Sequence, residues 1–309
     1  MKVALFGGTG FVGSYLVDAL LAHGHTPRLL VRPGSESKVV QPERCEIVPG
    51  DIDDRDAIAA CLQGADAAIY NIGLLREFPA QGVTWEKMHY QGAARVIDAA
   101  VAAGVKRFLL MSANGVKPDG TGYQSTKFRA EQHLAASGLD WTVFRPSVVF
   151  GDPRGRMEFC SMLYQQMLKP PIPAPLFHNG LWPSGAGRFR MSPVAVEDVA
   201  EAFVRALETP ASVRRVFPLG GPEAPEWREI LDVIAQAAGK RKLKVPAPVA
   251  VPRAAAALLD RFAWFPVTRA QLDMLLEGNA CDGSEAWSMF AIEPQRFEPA
   301  ALGYVKASA

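Results

Sequence analysis

Short apolar runs and stretches of helical spacing alternate along the first half of this chain. Met1–Phe6 is apolar apart from Lys2, a glycine-rich turn follows, and Val12, Leu16 and Leu20 then recur at i, i+4 and i+8. That spacing predicts a helix over Val12–His23 with one buried stripe, stopped at Gly24. The same reading predicts strands at Lys2–Phe6, Pro27–Val31, Glu46–Val48, Ala67–Tyr70, Arg107–Met111 and Trp141–Phe144. Helices are expected between them at Arg55–Leu62, Thr84–Ala103 and Ser125–Ala136. Alternation of this kind gives right-handed crossovers and a parallel sheet covered on both faces. The expected fold class is α/β, a doubly wound parallel sheet with a smaller C-terminal substrate or docking lobe.

Beyond Gly151 the pattern changes. Helical spacing is read at Met157–Leu168, Val196–Leu207, Glu226–Ala238, Ala254–Phe262 and Arg269–Leu276, with a strand at Val216–Leu219 and a proline-rich stretch at Lys169–Leu176. Residues 1–150 are assigned to a dinucleotide-binding domain, to which a later segment near 192–220 returns. Residues 151–309 form the smaller mixed lobe, expected over the carboxyl ends of the strands, where open α/β sheets take ligands.

The turn after the first strand is Gly7-Gly8-Thr9-Gly10-Phe11-Val12-Gly13. Strand, glycine turn and helix in that order make a Rossmann cradle. Backbone amides of Thr9, Phe11 and Val12 and the helix N-terminus face a pyrophosphate, and Gly7, Gly10 and Gly13 let the chain approach it. The second strand ends at Val31-Arg32, where NAD-binding proteins usually offer a carboxylate to the ribose 2′-hydroxyl. A guanidinium there pairs with a 2′-phosphate, so NADP(H) is favoured over NAD(H); the alternative is a solvated arginine at a strand end. Asp51, followed by Ile52, either accepts from the adenine amino group or caps the helix that begins near Asp54. Asn71-Ile72-Gly73 follows the fourth strand, where backbone and a small residue pass the cofactor ribose.

Tyr123 and Lys127 lie four apart and share a helix face, just after the strand that ends at Met111-Ser112. The lysine is expected to grip the ribose, stabilise a phenolate and lower the tyrosine pKa toward neutrality. Tyr123 then exchanges a proton with a substrate oxygen while hydride moves on the nicotinamide, and Ser112 hydrogen-bonds the same oxygen. The alternative is a tyrosine kept for packing or for a ribose contact. Pro146 directs the chain out of the sixth strand, and the backbone near Val149 follows.

Composition narrows the class without naming a reaction. The chain has 309 residues, 49% hydrophobic, with a net charge of +1, so a substantial core is expected and no general affinity for nucleic acid. Cys45, Cys61, Cys160 and Cys281 are far apart and read as reduced thiols of a cytoplasmic protein. The histidines show no ligand spacing, so no metal is expected. The first strand opens at residue 2, so no targeting segment is expected, and Pro170–Gly187, though uncharged, is too rich in proline to span a membrane.

These motifs resemble the short-chain dehydrogenase/reductase superfamily in its extended or atypical branch. The resemblance runs through Gly7-x-x-Gly10-x-x-Gly13, Asp51, Asn71-Ile72-Gly73, Ser112, Tyr123-x-x-x-Lys127 and Arg145-Pro146-Ser147-Val148-Val149-Phe150-Gly151 to Pro193–Ala200. Ser137–Thr142 and the tail Pro266–Leu272 with Leu276–Asn279 are most similar to atypical members related to the NAD(P)-binding accessory subunit of respiratory complex I. The resemblance implies the fold, the dinucleotide and a nicotinamide carboxamide contact near Val149. In the extended enzymes a helix asparagine helps relay a proton, and its place here is taken by His89. The accessory subunits imply NADPH held as a structural element without turnover.

The remaining readings stay open. Phe150, Phe159, Met162, Trp182, Phe189 and Met191, with Arg154, Arg156, Arg188 and Arg190 nearby, line a substrate pocket or are core with a solvated rim. Lys240–Lys244 precedes Arg253–Phe265, where Leu258, Phe262 and Phe265 share a helix face; together they touch anionic lipid or a membrane-bound complex, or are a solvated turn and a core helix. The Tyr/Ser/Lys set favours an oxidoreductase or epimerase of unknown substrate. The alternatives are a non-catalytic NADPH-binding accessory or assembly module on a respiratory complex, peripheral on the inner membrane, and a sensor of the NADPH/NADP ratio.

Overall fold

The computed structural model describes residues 1–180, 182–260 and 267–307. Two compact units divide the chain: residues 1–146, 196–219 and 284–293 form the first, and 147–195, 220–283 and 294–309 the second.

The first unit is built on a seven-stranded sheet, every neighbouring pair parallel. Its strands are β1 (Lys2–Phe6), β2 (Thr26–Val31), β3 (Glu46–Pro49), β4 (Ala67–Tyr70), β5 (Arg107–Met111) and β6 (Asp140–Pro146), with Arg215–Leu219 beyond β6. Across the sheet the order is Arg215–Leu219, β6, β5, β4, β1, β2, β3. The chain thus winds outward one way from β1, then crosses back to β4 and winds the other way. The reversal leaves a crevice between the carboxyl ends of β1 and β4. Val3–Phe6 are fully buried because helices cover both faces.

Helices α1 (Phe11–Ala22), α2 (Arg55–Leu62), α3 (Gly92–Ala102) and α4 (Gly122–Ala136) follow the expected order, with Val196–Leu207 after them. Two differ instructively from the periodicity. The stretch expected as one helix from Thr84 is a π-helical turn, Glu86–Gln91, running into α3. Tyr70 donates its hydroxyl to the Met88 carbonyl at 2.5 Å, inserting a side chain into the ladder there. Helix α4 starts before Ser125 because Thr121 and Gln124 close a capping box, which puts Tyr123 in the first turn. Phe144 packs on Phe203, Phe217 and Phe290 at 4.4–5.9 Å between ring centroids, so the helix Ser284–Met289, absent from the sequence pattern, belongs to this unit.

The second unit has two short parallel pairs, Val149–Phe150 with Val194–Ala195 and Ala174–His178 with Lys244–Pro248. Its core gathers Phe150, Tyr164, Trp227, Ile230, Ile234 and Phe297. Phe150, Met191 and Phe189 therefore serve packing: the first two are buried, and Phe189 stacks on Trp227 at 5.4 Å. Trp182, by contrast, is exposed. The basic cluster is also largely engaged within its own unit. Lys240 Nζ donates to the Tyr164 hydroxyl at 2.7 Å, Lys242 Nζ to the carbonyls of Leu168 and Pro170, and Lys244 Nζ to the Arg228 carbonyl at 3.2 Å beside Asp232. Leu258 is exposed on the helix Ala250–Leu259; Phe262 and Phe265 lie outside the described residues. All four cysteines are free thiols, Cys61 and Cys160 buried. Among the described residues no helix is long and apolar enough to cross a membrane, and no cluster of ligating side chains could hold a metal.

Candidate functional site

The glycine turn is closed so tightly that two of its residues admit no side chain. A Cβ on Gly13 would stand 2.1 Å from the Gly7 carbonyl oxygen, and one on Gly7, at φ +99°, 2.9 Å from the Asn71 carbonyl. The first contact seats α1 against the turn, and the second brings the ends of β1 and β4 together. Gly10 donates its N–H to Gly7 at 3.2 Å and is the N-cap of α1, so no side chain caps the helix. No acidic residue lies in the first turn either. Thr9, Gly10, Phe11 and Val12 reach the surface there. A helix start with neither cap nor carboxylate, behind a cradle that a Cβ would fill, suits a diphosphate.

The flanking strand ends carry the other expected contacts. Arg32 is exposed at the end of β2. Of the two roles for Asp51, helix capping is excluded: Asp54 caps α2, accepting from Asp56 and Ala57 at 3.1 and 3.0 Å. The Asp51 carboxylate accepts from the Asp53 N–H at 3.3 Å, and its carbonyl from the Asp54 N–H at 3.0 Å. Ile52 is buried, and its carbonyl is held by Arg95 at 3.1 Å. The Asn71 N–H extends the pairing with Phe6, and Gly73 is exposed.

At the ends of β4 and β5, Tyr70, Ile72, His89, Leu110, Met111, Ser112, Lys127 and Ala130 surround a small, nearly closed gap. The tertiary structure thus unites Ile72, Met111, Ser112 and Lys127 of the expected set. Tyr123 stands edge-on to His89, centroids 5.1 Å apart, and to Trp85 at 6.3 Å. Pro146 ends β6, and its carbonyl accepts from the Asn114 N–H at 2.8 Å. Val149 belongs to the second unit, paired with Val194.

Three details depart from expectation. Lys127 Nζ donates to the Met111 carbonyl at 3.0 Å, with the Tyr123 ring centroid 5.8 Å away. Burial pulls its pKa down to about 8, with Glu131 acting against that. The phenol of Tyr123 is pushed up by burial, not lowered, because desolvation dominates and the ammonium is directed at a carbonyl. Ser112 is buried and donates its hydroxyl to Glu131, so its one proton is committed within the protein. Glu131, which sequence reasoning did not single out, joins this cluster. It follows Lys127 by four positions, as Lys127 follows Tyr123, and that spacing was the available signal.

His89 is buried, and both burial and Lys127 lower its pKa well below the usual value. Its Nε2 accepts from the Leu74 N–H at 3.0 Å, which assigns the proton to Nδ1, facing Thr126 Oγ1 at 3.4 Å. The site therefore holds a neutral imidazole, a buried ammonium and an un-ionised phenol.

The comparisons with known proteins agree with this fold. A family profile described as NAD(P)H-binding matches residues 7–164, and the chain belongs to that family. It is of the atypical short-chain dehydrogenase/reductase, epimerase/dehydratase-like type expected from its motifs. The chain is 26% identical over 277 residues to the mitochondrial NADH-ubiquinone oxidoreductase 40 kDa subunit of Neurospora crassa, covering 86% of this chain and 68% of that one. It is 28% identical over 273 residues to a ceramide reductase of Caulobacter vibrioides, covering 86% and 79%. The fold is shared with UDP-glucose 4-epimerase of Thermus thermophilus in complex with NAD, at a TM-score of 0.73 and 20% identity over 99% and 98% of the two chains.

Proposed function

We propose that this chain is an NADP(H)-dependent oxidoreductase that reduces a carbonyl compound at the tip of α4. The observation that carries the reading is the juxtaposition of Tyr123 and Lys127 with Met111 beside an uncapped dinucleotide cradle. The residues fit the cofactor in their placement: amides of Thr9–Val12 for the diphosphate, Asp51 for the adenine, Lys127 for the nicotinamide ribose. When bound, the nicotinamide supplies the hydride. Tyr123, un-ionised across neutral pH, delivers the proton to the substrate oxygen; Lys127 carries positive charge beside it. The relative named as a ceramide reductase supports a reductive direction.

Arg32 supports NADP(H) over NAD(H). The Arg32→Ala variant is expected to weaken NADPH binding about 10- to 100-fold by isothermal titration and to leave NADH nearly unchanged, the range for a charge-assisted contact. Equal loss for both nucleotides would remove the 2′-phosphate role.

A second reading is favoured by the Ser112 proton being held by Glu131, and by similarity to the 40 kDa respiratory subunit. In it, the chain keeps NADPH as a structural element and docks on a membrane-bound complex. Screening NADPH oxidation against a panel of aldehydes and ketones separates the two. Turnover on any of them supports the reductase. Tight NADPH binding, no turnover across the panel and co-sedimentation with inner membranes support the accessory module.

A further inference from the structure

We propose that Glu131 is a positioning residue of the α4 site, whose buried carboxylate keeps Lys127 charged and fixed against the end of β5. The proposal rests on the reading of Lys127 as the ribose-binding group.

Tyr123, Lys127 and Glu131 stand at i, i+4 and i+8 of one helix and form a single stripe. Lys127 and Glu131 are each only 4% exposed, a burial these side chains tolerate only with partners. Lys127 holds the carbonyl of Met111, and Glu131, one helical turn further on, accepts the hydroxyl of the next residue, Ser112. Two successive residues at the tip of β5 are thus gripped by two successive turns of α4. Arg145 of β6 closes the far side, its Nε 2.9 Å from Oε1 and a terminal nitrogen 2.5 Å from Oε2 of the same carboxylate. The fork is bidentate, so it fixes the carboxylate in angle as well as distance.

The charges facing Lys127 come from few places. Its own helix contributes Glu131 and the un-ionised Tyr123; the π-helical turn contributes neutral His89. From β5 come a carbonyl and a hydroxyl, and from β6 comes Arg145, which is already paired. Glu131 is the acid acting on Lys127, and it opposes the desolvation that would otherwise discharge a buried ammonium. Ser112 thereby gains a role distinct from proton donation to a substrate: it joins the carboxylate to the strand.

The test is a pH titration of the lysine Cε resonances of the ¹³C-lysine-labelled full chain, with Lys127 assigned from the Lys127→Met spectrum. NADPH affinity is measured by fluorescence at each pH. In the parent, Lys127 is expected to titrate near pH 8. In Glu131→Gln its midpoint moves down by about one pH unit or more, and the pH at which NADPH binding weakens moves with it. Glu131→Asp, which keeps the charge but withdraws it by one methylene, gives a smaller shift in the same direction and serves if the glutamine variant does not fold. A Lys127 midpoint unchanged in either variant overturns the proposal. A Lys127→Met variant that binds NADPH as tightly as the parent instead overturns the ribose reading, while the titration still reports whether Glu131 and Lys127 are coupled.

Discussion

Replacing Gly13 by alanine is expected to abolish measurable NADPH binding, raising Kd at least about 100-fold, and to destabilise the protein by about 3 kcal/mol. The new methyl would stand 2.1 Å from the Gly7 oxygen, 2.8 Å from the Gly8 Cα and 2.9 Å from the Gly7 carbonyl carbon. All three are backbone atoms, so no side chain can rotate away. Either α1 lifts from β1 or the turn opens, and in both cases the amides of residues 9–12 leave the positions that would face a diphosphate. Lifting α1 also exposes Leu16, Val17 and Leu20, which are fully buried. Thermal melting with and without NADPH checks both halves of the prediction. A Gly13→Ala protein that NADPH still stabilises as it does the parent would place the cofactor elsewhere.

Tyr123→Phe is expected to lower reductive kcat about 10²- to 10⁴-fold on whichever carbonyl the parent reduces, while NADPH Kd changes by less than about twofold. The phenyl ring keeps the edge-on contacts to His89 and Trp85, so α4 starts as before and Lys127 keeps its place. Only the transferable proton is lost, and the neutral imidazole does not replace it: its one proton is on Nδ1, facing Thr126 Oγ1. The pH profile follows from the two neighbouring groups. Burial raises Tyr123, so it stays protonated through neutral pH; burial lowers Lys127 to about 8, so its ammonium is present below that and lost above. Reductive kcat/KM should therefore hold level below pH 8 and fall as pH rises through it. Unchanged turnover in Tyr123→Phe would sink the reductase reading and leave the accessory module.

The basic second-unit tail shows how far composition alone can mislead. Lys240, Lys242 and Lys244 form the densest run of like charge, yet their ammoniums cap carbonyls and a tyrosine within their own unit. Charge runs announce themselves in sequence; the carbonyls that absorb them do not. Ala174–His178 and Lys244–Pro248 hid as strands for a related reason. Both carry prolines, which the propensity argument rejects, but a two-stranded pair has outer edges where a missing N–H goes unnoticed.

The first unit was legible because local pattern and topology point the same way. A period of 3.6 or a bare apolar run marks each element, glycines mark the cofactor turn, and right-handed crossovers leave few ways to join the strands. Every strand of the sheet falls within two residues of its expected bounds. Undetermined by the sequence was where each proton and charge resides. Ser112 and Tyr123 read as free catalytic groups until folding buried the first, half-buried the second and supplied Glu131, Arg145 and His89 as neighbours. Protonation depends on solvent exclusion and on partners brought from distant positions in the chain, and only the packed structure contains either.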